Sequence, residues 1–285
     1  MIDYSRIFHS LTIIIALAAL PTHYAAAADA GCEPGKLAMK YPSLAGKTIK
    51  IGISAADKPF SARDPNDVSK LTGFDVEYAR AAFACIGAPV EFSVAAWPGL
   101  LPSLVAGQID LMWDALFYTP ERAKAVDFVL YSSAGDAVVV PKGNPKHVRA
   151  LEDLCGLRAV SQLGGTEHET LLKTNDDCVA AHKAPIAIAI SQDRPSALRE
   201  VDNDRADAYL GIGTVSAYDP NQYEVAYSYS SGVKVGVGIR KGNTDMERAL
   251  YDTIKLMQAD GSDKKIFETF GLSPALAVPA QIVTE

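Results

Sequence analysis

The sequence predicts an α/β protein of two lobes, each a mostly parallel sheet flanked by helices. Apolar strand segments alternate with amphipathic helix segments along the chain, which is typical of parallel sheets. The length of 285 residues exceeds one small domain and fits two. Residues 234–243 (KVGVGIRKGN) closely echo residues 136–145 (DAVVVPKGNP). We interpret the echo as two extended segments that cross side by side between the lobes and form a two-strand hinge.

The N-terminal segment has the pattern of a secretory signal peptide. Arg6 precedes an apolar run of ten residues, 11–20, and small residues lead to a preferred cleavage site between Ala28 and Asp29. Ten apolar residues are too few to cross a bilayer. We therefore predict that residues 1–28 are removed and that the mature protein is located in the periplasm.

The charge balance argues against a nucleic-acid partner. The chain has 27 basic and 34 acidic side chains, and loss of Arg6 and Asp3 with the signal peptide leaves the net charge at −7 (26 minus 33). No basic run and no interleaving of aromatic and basic residues appears, as nucleic-acid binding would favour. A small-molecule site stays possible, since a basic pocket can lie inside an acidic protein.

Four cysteines follow the predicted cleavage site, and an even number in an exported protein favours disulfides. We predict that Cys155 pairs with Cys178 and that Cys32 pairs with Cys85, because each pair is near in sequence and would join one region of the chain. A lipid anchor on Cys32 is an alternative, but Asp29 stands where a lipoprotein signal usually has an aliphatic residue. Metal binding is disfavoured because there is no CxxC pair and no nearby histidine pair.

In the first lobe, sequence patterns typical of strands and helices follow one another in the order β-α-β-α-β. Gly87 should end its first long helix, because glycine is the usual residue just after a helix. The predicted strands are 46–54, 89–97 and 109–116, the helices are 74–87 and 99–108, and extended segments follow at 126–132 and 137–143.

A second, smaller α/β unit then begins. Its predicted elements are a short helix at 151–156, strands at 157–163, 185–191 and 206–212, and helices at 167–174 and 194–204. A strand at 234–243 and a long helix at 244–261 return to the first lobe. We therefore assign residues 29–137 and 233–285 to the first lobe and residues 138–232 to the second.

Arg122 occupies an unusual place for a cation. Thr119 is a candidate N-cap, Pro120 suits the first helical position, and Glu121 suits the positive end of a helix. Arg122 follows in the same turn, where the helix dipole disfavours positive charge. A bound anion would explain it; an ion pair with Asp114 or Asp127 is the alternative.

Several linked motifs resemble those of periplasmic solute-binding proteins of ABC importers, in the family 3 subgroup that takes polar amino acids. The resemblance covers about residues 46 to 272. The motifs that carry it are GFDVEYARA (73–81), WPGLLPSLVAGQIDLM (97–112), TPERAKAVDF (119–128), GGT (164–166) and RADAYL (205–210). It implies a two-lobed Venus flytrap fold that closes on a ligand.

The resemblance also implies roles for individual residues. Arg122 would clamp the ligand carboxylate, and a planar guanidinium suits this because it donates two parallel hydrogen bonds. Gly165 and Thr166 would donate a backbone N–H and a hydroxyl to the same carboxylate. Trp97 would pack on the body of the ligand.

Three positions depart from the family pattern. Ile212 stands where the family usually has the aspartate that holds the ligand's α-amine, Ser54 stands near a second family aspartate, and Phe117 replaces a hydroxyl residue. Asp57 and Asp114 could supply acidity by another route. The pocket should be more apolar than an ordinary amino-acid site, which favours a ligand without a free amine. The candidate ligand-binding residues are Arg122, Thr166, Gly165, Trp97, Phe117, Ser54, Asp57, Ala115 and Ile212.

These features predict a non-enzymatic, monomeric binding protein that captures a small carboxylate-bearing solute for an ABC permease in the inner membrane, with no cofactor, metal or nucleic acid. One alternative is an exported dehydratase of cyclic carboxylates, for which Glu167 and His168 are the candidate proton-transfer groups. The sequence contains no Ser-His-Asp spacing, HExxH motif or phosphate loop, so it does not indicate hydrolase, metalloprotease or nucleotide-dependent activity. A receptor subunit that reports ligand-bound closure to a sensor protein is a further alternative.

Overall fold

A computed structural model of the protein describes residues 32, 34–230 and 232–284. The predicted signal peptide, residues 1–28, lies outside them. The strands are β1 (Ile49–Ile53), β2 (Ala56–Asp57), β3 (Ser61–Arg63), β4 (Leu71–Thr72), β5 (Val90–Val94), β6 (Leu111–Met112), β7 (Val126–Ala134), β8 (Asp136–Pro141), β9 (Arg158–Gln162), β10 (Ala187–Ser191), β11 (Ala208–Ile212), β12 (Tyr223–Ser228), β13 (Val233–Arg240) and β14 (Ala277–Val283).

Helices cover both larger sheets. The α-helices are α1 (Pro34–Lys40), α2 (Phe74–Ile86), α3 (Trp97–Val105), α4 (Pro120–Ala125), α5 (Thr166–Ala180), α6 (Arg194–Asp202), α7 (Thr244–Asp260) and α8 (Ser262–Thr269), with short 3-10 helices at Leu151–Leu154, Val215–Ala217 and Pro274–Leu276. No helix among the described residues combines the length and apolar character needed to cross a membrane.

The first lobe is built on a six-stranded sheet of order β14-β7-β13-β6-β1-β5. Strands β5, β1 and β6 pair in parallel, as strands joined by crossover helices do. Strands β13 and β14 run antiparallel to their neighbours, so four strands share one direction and two oppose them. The small sheet β2-β3-β4 lies beside α2.

The second lobe is built on a five-stranded sheet of order β10-β9-β11-β8-β12. Its first three strands pair in parallel and carry the α/β part of the lobe, with α5 and α6 packed against them. Strand β8 runs antiparallel to both β11 and β12. The predicted α/β class with two sheet-based lobes is therefore confirmed.

The chain passes between the sheets twice, and the two connections lie side by side. Strand β7 pairs with β13 as far as Ala134 opposite Val233, and β8 pairs with β12 from Ala137 opposite Ser228. Between them, the backbone N–H of Asp136 donates to the Ser230 hydroxyl at 2.7 Å. The lobe boundaries given above, residues 137/138 and 232/233, stay a prediction. A residue is assigned to a lobe by the sheet to which its element belongs, which places Asp136 of β8 in the second lobe.

An aromatic cluster forms the centre of the first lobe. Trp113, Tyr78, Tyr131 and Phe74 are fully buried, and the rings of Tyr78 and Tyr131 lie 5.0 Å apart. The indole of Trp113 donates to the Tyr131 hydroxyl at 3.0 Å, and that hydroxyl donates to Asp75 at 2.5 Å. The cluster is therefore tied to a buried carboxylate that also supports the pocket described below.

Two disulfides join elements of the fold. Cys32 pairs with Cys85 of α2, with Cα atoms 5.3 Å apart, and Cys155 pairs with Cys178 of α5, with Cα atoms 5.6 Å apart. These are the pairings favoured by proximity in sequence. A Cys32 thiol within a disulfide cannot also carry a lipid.

Several predicted elements differ from those observed. The strand expected at 109–116 is only Leu111–Met112, because the chain then bends and Ala115 takes a left-handed conformation, with φ of 47°. The helix expected at 167–174 begins at Thr166 and continues to Ala180. Elements that the patterns did not indicate are α1, β2, β3, β4, β12, α8 and β14.

Candidate functional site

A pocket lies between the two lobes, and both contribute side chains to it. The first lobe provides Asp57 at the end of β2, Trp97 at the start of α3, Ala115 and Phe117 after β6, and Arg122 in the first turn of α4. The second lobe provides Asp136, Gln162, Gly165, Thr166, Glu167, Tyr209 and Ile212. Open α/β sheets characteristically bind ligands at the ends of their strands, which is where this pocket lies.

Arg122 crosses the pocket from the first lobe to the second. Its backbone N–H donates to the Thr119 side chain at 3.1 Å, so Thr119 is the N-cap of α4, as the sequence predicts. One terminal nitrogen of the guanidinium donates to the carbonyl of Phe117 at 2.7 Å, and the other to the carbonyl of Gly164 at 2.9 Å. A guanidinium has five N–H donors, so these two bonds leave donors for a carboxylate.

The surroundings of Arg122 are partly desolvated. Burial lowers the pKa of Arg122, with nearby carboxylates opposing the shift. Asp127 pairs with Lys241 at 3.2 Å, and Asp114 accepts the backbone N–H of Ser54 at 2.8 Å. Neither carboxylate is therefore the ion-pair partner of Arg122 that we considered as an alternative.

Trp97 forms one wall of the pocket. The Arg122 guanidinium carbon lies 5.3 Å from the centroid of its ring, within the range of cation–π attraction. The indole N–H donates to the carbonyl of Asp114 at 3.0 Å, which orients the ring. Gly164, with φ of 77°, faces the ring from the other lobe, since an added Cβ would lie 3.7 Å from the indole.

A buried carboxylate supports the pocket wall beside Phe117. The backbone N–H of Ala115 donates to Asp75 at 2.6 Å and thereby holds Ala115 in its left-handed conformation. Phe117 is 6% exposed and forms a β-bridge with Val235. Desolvation raises the pKa of Asp75 to about 7, while its hydrogen bonds from Tyr131 and Ala115 oppose the shift.

Asp57 forms an ion pair with Arg194, the first residue of α6 in the second lobe. The Asp57 side chain is 19% exposed, and that of Arg194 is 4% exposed. Arg194 also lies over the ring of Tyr218, at 5.7 Å from its centroid. Asp57 therefore lines the pocket as predicted, but its charge is already matched by a residue that the sequence analysis did not single out.

Asp136 is a further acidic residue of the pocket that the sequence analysis missed, whereas Glu167 was named there only as a proton-transfer group of the dehydratase alternative. The Thr166 hydroxyl donates to Asp136 at 3.0 Å and lies 3.3 Å from a carboxylate oxygen of Glu167. Burial raises the pKa of both acids, and repulsion from Asp136 adds to the shift of Glu167. Three acidic residues, Asp57, Asp136 and Glu167, line the pocket, so its wall carries more negative charge than the sequence analysis indicates.

Ile212 lies in the pocket directly opposite Asp136. The two residues are partners in the antiparallel pairing of β11 with β8, and both are largely buried. Directly opposite residues of an antiparallel pair place their side chains on the same face of the sheet. The position at which the resemblance implies an acid is thus apolar, and its neighbour across the strands is acidic.

The structure does not bring every candidate to the pocket. Ser54 is absent from the pocket wall, and its hydroxyl lies 3.3 Å from that of Ser61. Asp114 is fully buried below the wall. His168 also lies off the wall, with its Nδ1 atom 3.3 Å from the Ser161 hydroxyl. In the described part of the chain, no cluster of His, Cys, Asp and Glu has the arrangement of a metal site.

Comparison with known proteins places this geometry in context. Residues 49–273 match the bacterial extracellular solute-binding proteins, family 3. The L-cystine-binding protein TcyJ of Escherichia coli (strain K12) is 30% identical over 227 residues, which cover 78% of this chain and 81% of that protein.

Solved structures agree with this match. An ancestral arginine-binding protein bound to arginine has 30% identity and a TM-score of 0.71, with 78% of this chain and 97% of that chain covered. The ancestral amino acid-binding protein AncCDT-1, described as a precursor of cyclohexadienyl dehydratase, has 28% identity and a TM-score of 0.70, with 83% and 98% covered. The two-lobed fold, the pocket between the lobes and these similarities together assign the chain to the bacterial extracellular solute-binding proteins of family 3.

Proposed function

We propose that the protein captures a small amino acid or amino-acid derivative outside the cytoplasmic membrane and delivers it to an ABC permease. The observation that carries this proposal is Arg122, whose guanidinium crosses the pocket beside the Gly164–Thr166 turn. A carboxylate bound there would receive hydrogen bonds from Arg122 and the turn, and would contact both lobes at once. Ligand contacts to both lobes favour the closed arrangement and couple binding to the hinge.

The acidic lining refines the ligand class. Asp136 and Glu167 face a pocket that also holds Arg122, so the site presents both signs of charge. A zwitterionic ligand matches this arrangement better than a simple organic acid. The similar proteins are described as binding L-cystine or arginine, and both of these ligands carry α-carboxylate and α-ammonium groups.

Export supports the same role. The predicted signal peptide and the two disulfides suit an oxidising compartment outside the cytoplasm. In a family of extracellular solute-binding proteins, the mature protein is expected to act in the periplasm and to dock on a permease in the inner membrane.

A thermal-shift screen of the mature protein tests this proposal. We would compare the proteinogenic amino acids and L-cystine with carboxylates that lack an α-amine. A micromolar ligand at millimolar concentration should stabilise the protein by about 4 kcal/mol. We expect stabilisation by one or a few amino acids. If no compound of either set raises the unfolding temperature, the proposal is wrong.

A dehydratase is the second candidate, because Glu167 lines the pocket and burial raises its pKa toward the range of a general acid or base. The similarity to a described precursor of cyclohexadienyl dehydratase points the same way. Incubation of the protein with a carboxylated cyclohexadienol, followed by ultraviolet absorbance, would detect an aromatic product. Turnover that Glu167→Gln abolishes would establish this function; absence of product would exclude this substrate class.

A further inference from the structure

We propose that Asp136 binds the ammonium group of the ligand, and that the pocket therefore selects solutes with a free amine. This inference rests on the proposed function and deepens it, since it names a specificity-determining residue of the same site. The expectation from the sequence was the opposite, because Ile212 removes the acid that would normally hold an α-amine.

The strand register supplies the first step. Asp136 and Ile212 are directly opposite each other on β8 and β11, and both line the pocket. Their side chains share one face of the sheet, so a carboxylate at either position reaches the same region of the pocket. An acidic residue is therefore still present in this region of the pocket, on the neighbouring strand β8 instead of on β11.

The hydrogen bonds of Asp136 supply the second step. Asp136 is 4% exposed, and its carboxylate accepts the Thr166 hydroxyl. Glu167 lies close to the same hydroxyl, which carries one proton and can donate to only one of the two acids at a time. Among the described residues, neither acid forms an ion pair with a lysine, arginine or histidine.

Arg122 is the cation near these two acids, and its charge lowers the pKa of both, but one guanidinium faces two carboxylates. Burial still raises the pKa of both acids despite Arg122, because removing two carboxylates from water costs more than one shared cation offsets. An ammonium group is a compact cation with three donors, enough to reach Asp136 and Glu167 together. An amine would therefore supply a second positive charge, which the two acids need most when a ligand carboxylate occupies Arg122.

The position of Arg122 supplies the third step. Arg122 lines the pocket from the first lobe, whereas Asp136 lines it from the start of β8 in the second lobe. A ligand with a carboxylate on Arg122 and an ammonium on Asp136 would join the two lobes through opposite charges. Asp136 also lies where the two connections between the lobes meet, since its backbone N–H donates to the Ser230 hydroxyl.

Isothermal titration with matched ligand pairs tests the inference. The probes are L-arginine against δ-guanidinovalerate, L-histidine against imidazole propionate, and L-glutamine against glutaramate. Each pair differs in the α-amine alone. We expect the wild type to prefer at least one amine-bearing partner by about 30-fold or more, the loss typical of breaking a buried charge pair. If the wild type binds the amine-free compounds as tightly as the amine-bearing ones, the inference is wrong. This comparison uses the wild-type protein alone.

Variants then assign the preference to Asp136. Asp136→Asn should lose most of the preference and keep binding to the amine-free partner. The exchange Asp136→Ile with Ile212→Asp should regain it, because the carboxylate returns to the same face. Asp177→Asn, an exposed acid of α5, is the matched control and should bind as the wild type. An unchanged preference in Asp136→Asn, or no recovery in the exchange variant, would overturn the inference.

These outcomes separate the two proposals. If none of the six probes and no amino acid of the screen binds the wild type, the proposed function fails and the inference fails with it. If amino acids bind but Asp136→Asn discriminates as the wild type does, only the assignment of Asp136 fails.

Discussion

Asp57 of β2 and Arg194 of α6 form an ion pair that joins the first lobe to the second. Both side chains are largely removed from solvent, and Asp57 lines the pocket between the lobes. The pair therefore lies where closure of the lobes would make or break it. Because Arg194 already neutralises the Asp57 carboxylate, Asp57 is less available to bind a ligand than the sequence analysis expects.

Loss of this ion pair should favour separation of the lobes. Removing one partner of a buried pair typically costs about 3–5 kcal/mol, since the remaining charge is left unpaired. We expect Arg194→Ala to increase the radius of gyration measured by small-angle X-ray scattering. Arg199→Ala, on the exposed face of the same helix, is the control. Identical scattering from Arg194→Ala and wild type would show that the pair does not hold the lobes.

The stability of the ligand-free protein should fall as pH rises from about 5 to about 8. Desolvation raises the pKa of Asp75 from 3.8 to about 7 and that of Asp114 to about 6, and Asp136 and Glu167 shift in the same direction. In the unfolded chain these groups titrate near their ordinary pKa. The folded state therefore holds extra protons in this window, and the free energy of unfolding decreases with pH.

Denaturant unfolding at several pH values measures this dependence. Asp75 alone contributes on the order of 3 kcal/mol to this decrease, because its shift acts over about two pH units, from pH 5 to its folded pKa of about 7, at about 1.4 kcal/mol per unit. Asp75→Asn should flatten the profile, because it removes the titrating group and keeps an acceptor for the Ala115 N–H. A free energy of unfolding that increases from pH 5 to pH 8 would contradict this account.

The disulfide between Cys155 and Cys178 should stabilise the second lobe. It closes a loop with a sequence separation of 23 and joins the 3-10 helix before β9 to α5. In the chain-entropy model a loop of this size contributes about 3 kcal/mol. We expect the double variant Cys155→Ser, Cys178→Ser to unfold at a lower denaturant concentration, because its free energy of unfolding is reduced by about this amount. Unfolding curves that coincide with those of the wild type would refute it.

Ligand binding should change the fluorescence of one tryptophan. The chain has two: Trp97 lines the pocket beneath Arg122, and Trp113 is fully buried in the aromatic cluster. A ligand on Arg122 alters the polarity around Trp97 and leaves Trp113 shielded. We expect Trp113→Phe to keep the ligand-induced change in emission and Trp97→Phe to lose it. The reverse pattern would place the ligand elsewhere.

Local signals were sufficient to predict much of the fold. Gly87 ends α2 in a left-handed conformation, and Thr119 caps α4, because both depend on neighbouring residues alone. Strands β2, β3 and β4 have only two or three residues each and are stabilised by pairing with one another, so no periodic pattern indicates them.

The site was predictable only where motifs carry it. Arg122, Trp97 and Thr166 lie in recognisable segments, and the structure brings them to one pocket. Asp136 could not be identified in this way, because its relation to Ile212 depends on the register of two strands far apart in sequence. Arg194 could not be identified from the sequence for the same reason, since its ion-pair partner Asp57 belongs to the other lobe.

Titration calorimetry of Arg122→Ala tests the central claim most directly. The ligand is the amino acid that most stabilises the wild type, and Arg63→Ala, an exposed arginine of the first lobe, is the control. We predict that Arg122→Ala weakens binding by about 30-fold or more, since it removes one partner of a desolvated charge pair. The control should bind as the wild type. Equal affinity of Arg122→Ala and wild type would contradict the assignment of Arg122 as the carboxylate-binding residue.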